Sequence, residues 1–276
     1  MATVYLRPRP QRWWQGRWAS LLRDLLQRYV LFPLLRIWCR RLRVEATQML
    51  AEVRGPAIIV ANHSSHFDTA LVLSALPPGI RRRVTVAAAA DYFYNGGLKG
   101  AAVSLLFNTF PFHRNGGAQR SLSHCADLLQ GGWWLLIYPE GTRSLDGNIQ
   151  PFKGGVGLLA VRLGVPVVPV HLEGAHGLMP KGNWRPRRRA VTVRIGDAVA
   201  YPPQTDAVAV ANDLRSRVVA LAGNGPSGGQ ARPAKLTRPS RLYPIAQGGP
   251  PGQQHKNGSF ATFGPSLGDV SSECRR

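Results

Sequence analysis

Acidic side chains are scarce in this chain: 14 Asp and Glu stand against 35 Lys and Arg over 276 residues, giving a formal charge of +21. Such an imbalance points to a polyanionic partner, either nucleic acid or anionic lipid headgroups, without choosing between them. Cysteine is scarcer still. Cys39, Cys125 and Cys274 form no C-x-x-C pair and are odd in number, which argues against a disulfide framework or a zinc site and fits a reducing compartment. Long apolar runs are missing too. The stretch from Tyr29 to Cys39 is interrupted by Pro33 and Arg36 and precedes no small-residue cleavage site, so a signal peptide is not expected. No segment approaches the roughly 18 to 20 uninterrupted apolar residues that cross a bilayer as a helix.

What is present is enough for one sizeable core. Hydrophobic residues make up 44% of the chain, while its 30 glycines and 22 prolines concentrate toward the C-terminus. Residues 1–50 read as a basic, membrane-associating segment. Ten arginines face a single acid, Asp24, through Val44, interleaved with Trp13, Trp14, Trp18 and Trp38. From Trp18, the apolar residues Leu21, Leu22, Leu25, Leu26 and Tyr29 recur at helical spacing, with Arg23, Asp24, Gln27 and Arg28 on the other face. This predicts an amphipathic helix whose apolar face enters a headgroup boundary; the alternative is that the leucine stripe packs on the rest of the protein. No nucleic-acid-binding module accompanies the charge, so nucleic acid is not expected as a partner.

Residues 51–222 alternate short apolar runs with helical stretches. Strands are expected at Ala57 to Ala61, Val84 to Ala89, Thr109 to Phe112, Trp133 to Tyr138, Val165 to Leu172 and Val191 to Ile195. Helices are expected at Phe67 to Leu76, Leu98 to Phe107, Ala118 to Leu129, Val156 to Leu163 and Asp206 to Leu221. Alternation of this kind predicts an α/β fold, a central mixed sheet flanked by helices. Residues 223–276 are rich in Gly, Pro, Ser and Gln, a composition that predicts a disordered tail.

Two polar clusters follow predicted strands. The first is Asn62-His63-Ser64-Ser65-His66-Phe67-Asp68. His63 is the natural general base, since neutral imidazole takes a proton from an alcohol near neutral pH. Asp68, five residues on, can accept the other ring N–H and fix the tautomer. No Gly-x-Ser-x-Gly elbow surrounds Ser64 or Ser65, which disfavours a covalent acyl-enzyme, and main-chain amides near His63 are candidate oxyanion donors. His66 reads as a residue of the following helix. The second cluster, Tyr138-Pro139-Glu140-Gly141-Thr142-Arg143-Ser144, offers anion-binding equipment. Gly141 permits close backbone approach, Thr142 and Ser144 add hydroxyls, and Arg143 presents a planar fork suited to phosphate.

Together the clusters resemble the glycerolipid acyltransferases of the 1-acylglycerol-3-phosphate acyltransferase type. His63 and Asp68 match that family's His-x4-Asp motif, and Phe110-Pro111-Phe112-His113-Arg114 its second block. Tyr138 to Ser144 match a Phe-Pro-Glu-Gly-Thr-Arg-Ser block, and Val165 to Val170 the fourth. The resemblance covers about Val53 to Gly196. It implies that His63 deprotonates an acceptor hydroxyl, that Asp68 orients it, and that Arg114, Glu140, Gly141, Thr142 and Arg143 bind the acceptor headgroup. It also implies an acyl-CoA or acyl carrier protein donor, a lysophospholipid acceptor giving phosphatidic acid, no metal and no cofactor. The expected location is the cytoplasmic face of the cell membrane, peripheral or monotopic.

One departure is that the segment before the second block reads Val86-Ala87-Ala88-Ala89-Ala90-Asp91-Tyr92, without the lysines of many phosphate-acceptor members, leaving Lys99 as a candidate substitute. Another lysolipid, an aminolipid or a glycolipid therefore stay open as acceptors. A hydrolase on the same fold and a non-catalytic basic membrane-binding protein are the rival classes.

Overall fold

The computed structural model describes residues 13–46, 50, 52–53, 55–89, 98–112 and 118–223. In chain order, a short 3-10 turn (Trp13–Gln15) precedes α1 (Arg17–Leu26), a π turn (Gln27–Leu31), α2 (Phe32–Trp38) and, without a linker, β1 (Cys39–Ala46). Then come β2 (Ile58–Ala61), α3 (Asp68–Ala75), α4 (Pro78–Arg81), β3 (Val84–Ala89), α5 (Leu98–Phe107), β4 (Thr109–Phe112) and α6 (Ala118–Gln130). The described chain closes with β5 (Trp134–Ile137), α7 (Gly155–Leu163), β6 (Val167–Glu173), β7 (Arg189–Ile195) and α8 (Ala207–Gly223).

Among the described residues, seven strands form one sheet in the order β1-β7-β6-β2-β5-β3-β4, parallel throughout except where β6 meets β7. Its central strand, β2, is Ile-Ile-Val-Ala with every residue fully buried. Such a run, rather than an alternation, is what a strand covered on both faces requires. The two faces are legible in the packing. Ile59 and Ala61 join Trp134, Leu136, Val168 and Val170 beneath α3 and Leu35 of α2. Ile58 and Val60 join Leu135, Ile137 and Val167 against α6, α7 and α8. Full burial of each Ile or Val contributes about 1.5–3 kcal/mol.

The expected mixed α/β sheet is the observed one, and the six expected strands and five expected helices recur with ends shifted by a residue or two. The sheet starts earlier than expected, because β1 lies within residues 1–50 and pairs with β7. The tail beyond residue 223 lies outside the described residues.

The N-terminal helix is turned with its apolar face outward. Trp18 is 85% exposed, and Leu21, Leu22, Leu25 and Tyr29 are exposed with it, while Arg23 and Gln27 are buried. The polar side chains fasten the helix to the domain. Arg23 Nη1 donates to the Trp14 carbonyl at 2.8 Å, and Gln27 Nε2 to the Leu106 carbonyl at 2.7 Å. Leu105, a weaker acceptor for Arg23, and Leu106 lie in the last turn of α5, where carbonyls lack intrahelical partners and a cation is favoured. Asp24 pairs with Arg81 at 2.8 Å and Arg82 at 2.9 Å. Pro33 follows at the start of α2. It has no N–H to give, and the helix widens just before it, with Phe32 N–H on the Gln27 carbonyl. Among the described residues, no helix is long and apolar enough to cross a membrane.

Candidate active site

β2 lies parallel between β5 and β6, so the turns that follow β2 and β5 leave the same edge of the sheet side by side. The carboxyl edge of parallel strands is where ligands bind in open α/β folds. The turn after β2 begins with Asn62, whose side chain is locked to β6: Nδ2 donates to the Leu172 carbonyl at 3.1 Å, and Oδ1 accepts Leu172 N–H at 2.8 Å. His63 follows. Its Nδ1 lies 2.8 Å from Asp68 Oδ2.

Asp68 is fully buried at the first position of α3. The same Oδ2 accepts the main-chain N–H of Ser64 at 2.6 Å and of Ser65 at 2.8 Å. A buried carboxylate is costly unless donors surround it, and here two amides and an imidazole do so at a helix N-terminus. This arrangement fixes the imidazole with Nδ1 toward Asp68, leaving Nε2 as the nitrogen able to take a proton. The ring also stacks on Tyr138, centroids 4.1 Å apart and planes 19° from parallel. The Tyr138 hydroxyl meets Thr69 Oγ1 at 3.1 Å, and burial pushes the phenol well above its ordinary pKa, so it stays neutral.

The turn after β5 grips the first one. Glu140 Oε1 accepts His63 N–H at 2.7 Å and Oε2 accepts Gln150 N–H at 3.1 Å, while Ser144 N–H donates to the His63 carbonyl at 2.8 Å. Burial raises the Glu140 pKa, opposed by those two amides. Gly141 turns the chain at φ +75°, and a Cβ there would sit 2.8 Å from Lys153 Nζ. The lysine stem therefore lies directly over this turn. Lys181 Nζ donates to Thr142 Oγ1 at 3.1 Å. Arg143 is half-buried; desolvation first, then the charge of Arg143, lowers the pKa of neighbouring His66.

Of the residues singled out from sequence, His63, Asp68, Glu140, Gly141, Thr142 and Arg143 come together in this cleft edge, and Arg114 lies outside the described residues. Several assignments change in detail. Both Glu140 oxygens are engaged by main-chain amides rather than standing free for a headgroup. The Ser144 hydroxyl bonds Asp146 at 2.7 Å within its own loop. The amides expected as oxyanion donors are committed elsewhere: His63 N–H to Glu140, Ser64 and Ser65 N–H to Asp68, and His66 N–H to the Met179 carbonyl. Lys153 and Lys181 were not singled out by the sequence reading. Lys153 follows its turn closely enough to be sought as a further cation, whereas nothing local marks Lys181. Among the described residues, no cluster of His, Cys, Asp and Glu could hold a metal ion.

A profile of the acyltransferase family matches residues 41–173, the stretch that carries both turns. A chloroplastic 1-acyl-sn-glycerol-3-phosphate acyltransferase of Arabidopsis thaliana is 30% identical over 52% of this chain and 39% of its own. The beta 1-acyl-sn-glycerol-3-phosphate acyltransferase of Homo sapiens is 32% identical over 47% of this chain and 45% of its own. Residues 41–173, just under half of the chain, carry the acyltransferase family's domain. The chain spans less than half the length of either of these curated acyltransferases. The acyltransferase fold itself is shared with the crystal structure of PlsC, the 1-acyl-sn-glycerophosphate acyltransferase from Thermotoga maritima. That likeness has a TM-score of 0.53 and 24% identity, covering 75% of this chain and 88% of the other.

Proposed function

We propose that this protein transfers a fatty acyl group from a thioester donor to the free hydroxyl of a lysophospholipid, with 1-acylglycerol-3-phosphate as acceptor and phosphatidic acid as product. The observation that carries the reading is the His63–Asp68 dyad, 2.8 Å apart, set beside a turn ringed by Arg143, Lys153 and Lys181. A base and an anion site at one edge suit an alcohol that carries phosphate. The curated relatives are named for this acceptor.

In this mechanism His63 Nε2 removes the proton of the acceptor hydroxyl as its oxygen attacks the thioester carbonyl carbon. Asp68 holds the tautomer and stabilises the imidazolium that forms. The C–O bond forms, the tetrahedral oxyanion collapses, the C–S bond breaks, and the imidazolium returns its proton to the departing thiolate. No protein nucleophile and no metal enter the scheme. Thioesters are already reactive, so positioning and proton transfer are the tasks that remain. Arg143 and the two lysines hold the phosphate as point charges and a planar fork, and Glu140 positions the base. The donor is acyl-CoA or acyl carrier protein. The outward apolar stripe of α1 supports a peripheral place on an anionic membrane, and the reading puts it at the cytoplasmic face.

The test is transfer of labelled acyl groups from acyl-CoA and from acyl carrier protein to a panel of lysolipids, aminolipids and glycolipids. The native chain is compared with His63→Ala. Product from the native protein and its loss in a folded variant supports the reading and names the acceptor. Equal product from both removes His63 from the mechanism.

A further inference from the structure

Residues 174–188, between β6 and β7, carry Lys181, Arg185, Arg187 and Arg188 and no acid, and Arg189 follows at the start of β7. The base of this loop is firmly held. Ala175 and Leu178 are fully buried in the core. Gly174, at φ +77°, lies so close to the Ala190 carbonyl that no side chain fits. Arg187 N–H donates to the Leu178 carbonyl at 2.7 Å, Asn183 N–H to Pro180 at 3.1 Å, and Arg185 N–H to Asn183 Oδ1 at 2.9 Å. The tip is exposed. Trp184 is 77% accessible, with the Arg185 guanidinium 5.4 Å from its ring centroid. A large amphipathic ring held in water on a fixed loop, among cations, has the composition of an interfacial anchor.

Its surroundings say what it meets. At one end the loop touches the candidate active site: the Met179 carbonyl accepts Ser65 Oγ at 3.1 Å and His66 N–H, and Lys181 reaches Thr142. At the other end Arg188 Nε donates to the Ile37 carbonyl at 2.8 Å, joining it to the end of α2, where Leu34 and Ile37 are exposed. The loop therefore continues the outward apolar stripe of α1 and α2 with a basic one. We propose that residues 181–189 form a second membrane-contact element, seated on the anionic headgroups of a bilayer beside the mouth of the active site. Charge complementarity and continuity with an apolar face favour a lipid surface over nucleic acid, which has no use for the apolar stripe. The proposal rests on the protein working at a bilayer and not on the acyl-transfer chemistry.

The test is co-sedimentation of the full chain with vesicles in the absence of substrates. Vesicles of phosphatidylcholine alone are compared with phosphatidylcholine mixed with phosphatidylglycerol. Each arginine near an anionic surface is worth roughly five-fold in partitioning. Arg185→Gln/Arg187→Gln is therefore expected to weaken binding to mixed vesicles by about ten-fold or more, leave binding to neutral vesicles unchanged, and lose its effect at high salt. Trp184→Ala is expected to weaken binding to both vesicle types. All three side chains are exposed, so unfolding midpoints should match the native protein. Native-like partitioning of both variants overturns the proposal. So does a loss confined to binding of a single-stranded oligonucleotide, which would make the loop a nucleic-acid contact.

Discussion

Glu140 and His63, 77 residues apart, are joined where the Glu140 carboxylate accepts the His63 main-chain N–H at 2.7 Å. With Ser144 N–H on the His63 carbonyl at 2.8 Å, the turn after β5 holds the His63 peptide from both sides. The height of the imidazole above the sheet is thus set by a neighbouring strand as well as its own. The family's two sequence blocks are one mechanical unit.

Glu140→Gln tests this unit. An amide offers one acceptor and one NH2 where the carboxylate offers two acceptors, so His63 N–H or Gln150 N–H would face a donor. An unmatched buried donor costs about 1–3 kcal/mol. A lower unfolding midpoint is expected, together with a fall in kcat larger than any rise in KM, read by thermal denaturation and steady-state kinetics.

Asp68→Asn keeps an oxygen for the Ser64 and Ser65 amides but loses the charge that, in the proposed mechanism, stabilises the imidazolium. General-base assistance is worth about 10²- to 10⁴-fold. A folded protein with kcat reduced on that scale is the expected outcome; circular dichroism would check the fold, and native-like turnover would remove Asp68 from the chemistry.

Most of the architecture could be read from the sequence because parallel strands buried on both faces announce themselves as apolar runs, as Ile58–Ala61 does. β1 could not. Its sequence, Cys-Arg-Arg-Leu-Arg-Val-Glu-Ala, is that of an edge strand with exposed charges, and only its pairing with Val191 and Val193 reveals it. Helical periodicity gave α1 two faces but not which one looks outward. That is decided by Arg23, held by the Trp14 carbonyl and more weakly by that of Leu105, and by Gln27, which reaches Leu106 at the end of α5, 79 residues away. His63 and Asp68 were legible because five residues separate them. The role of Glu140 in holding the His63 peptide was not, since no local spacing encodes a contact between two strands' ends.

The outward face of α1 predicts opposite effects from neighbouring positions. Leu21→Glu and Leu25→Glu touch exposed side chains, so folding should be unchanged, while vesicle partitioning falls about ten-fold or more for each, given about 1.5–3 kcal/mol for burying a leucine. Arg23→Leu would raise hydrophobicity yet strip a donor from the Trp14 carbonyl. It should lower stability by about 1–3 kcal/mol, measured by denaturant unfolding.

His171 should make stability depend on pH. Burial, then the charge of nearby Arg194, lowers its pKa to about 4. Between pH 6.5 and 4 the unfolded chain takes a proton that the native state refuses, so stability is full above 6.5 and drains away as pH falls toward 4. The loss by pH 4.5 is on the order of 2 kcal/mol. In His171→Gln the gap between urea midpoints at pH 7 and pH 4.5 should shrink by a corresponding amount.

α2 ends at Trp38 and β1 begins at Cys39 with nothing between them. A helix coupled so directly to the edge of the sheet leaves no swivel. Whatever surface captures α1 and α2 also fixes the azimuth and the elevation of the cleft; on the bilayer proposed above, encounters with an acceptor lipid would become a search in two dimensions, swept out as the protein drifts laterally instead of tumbling.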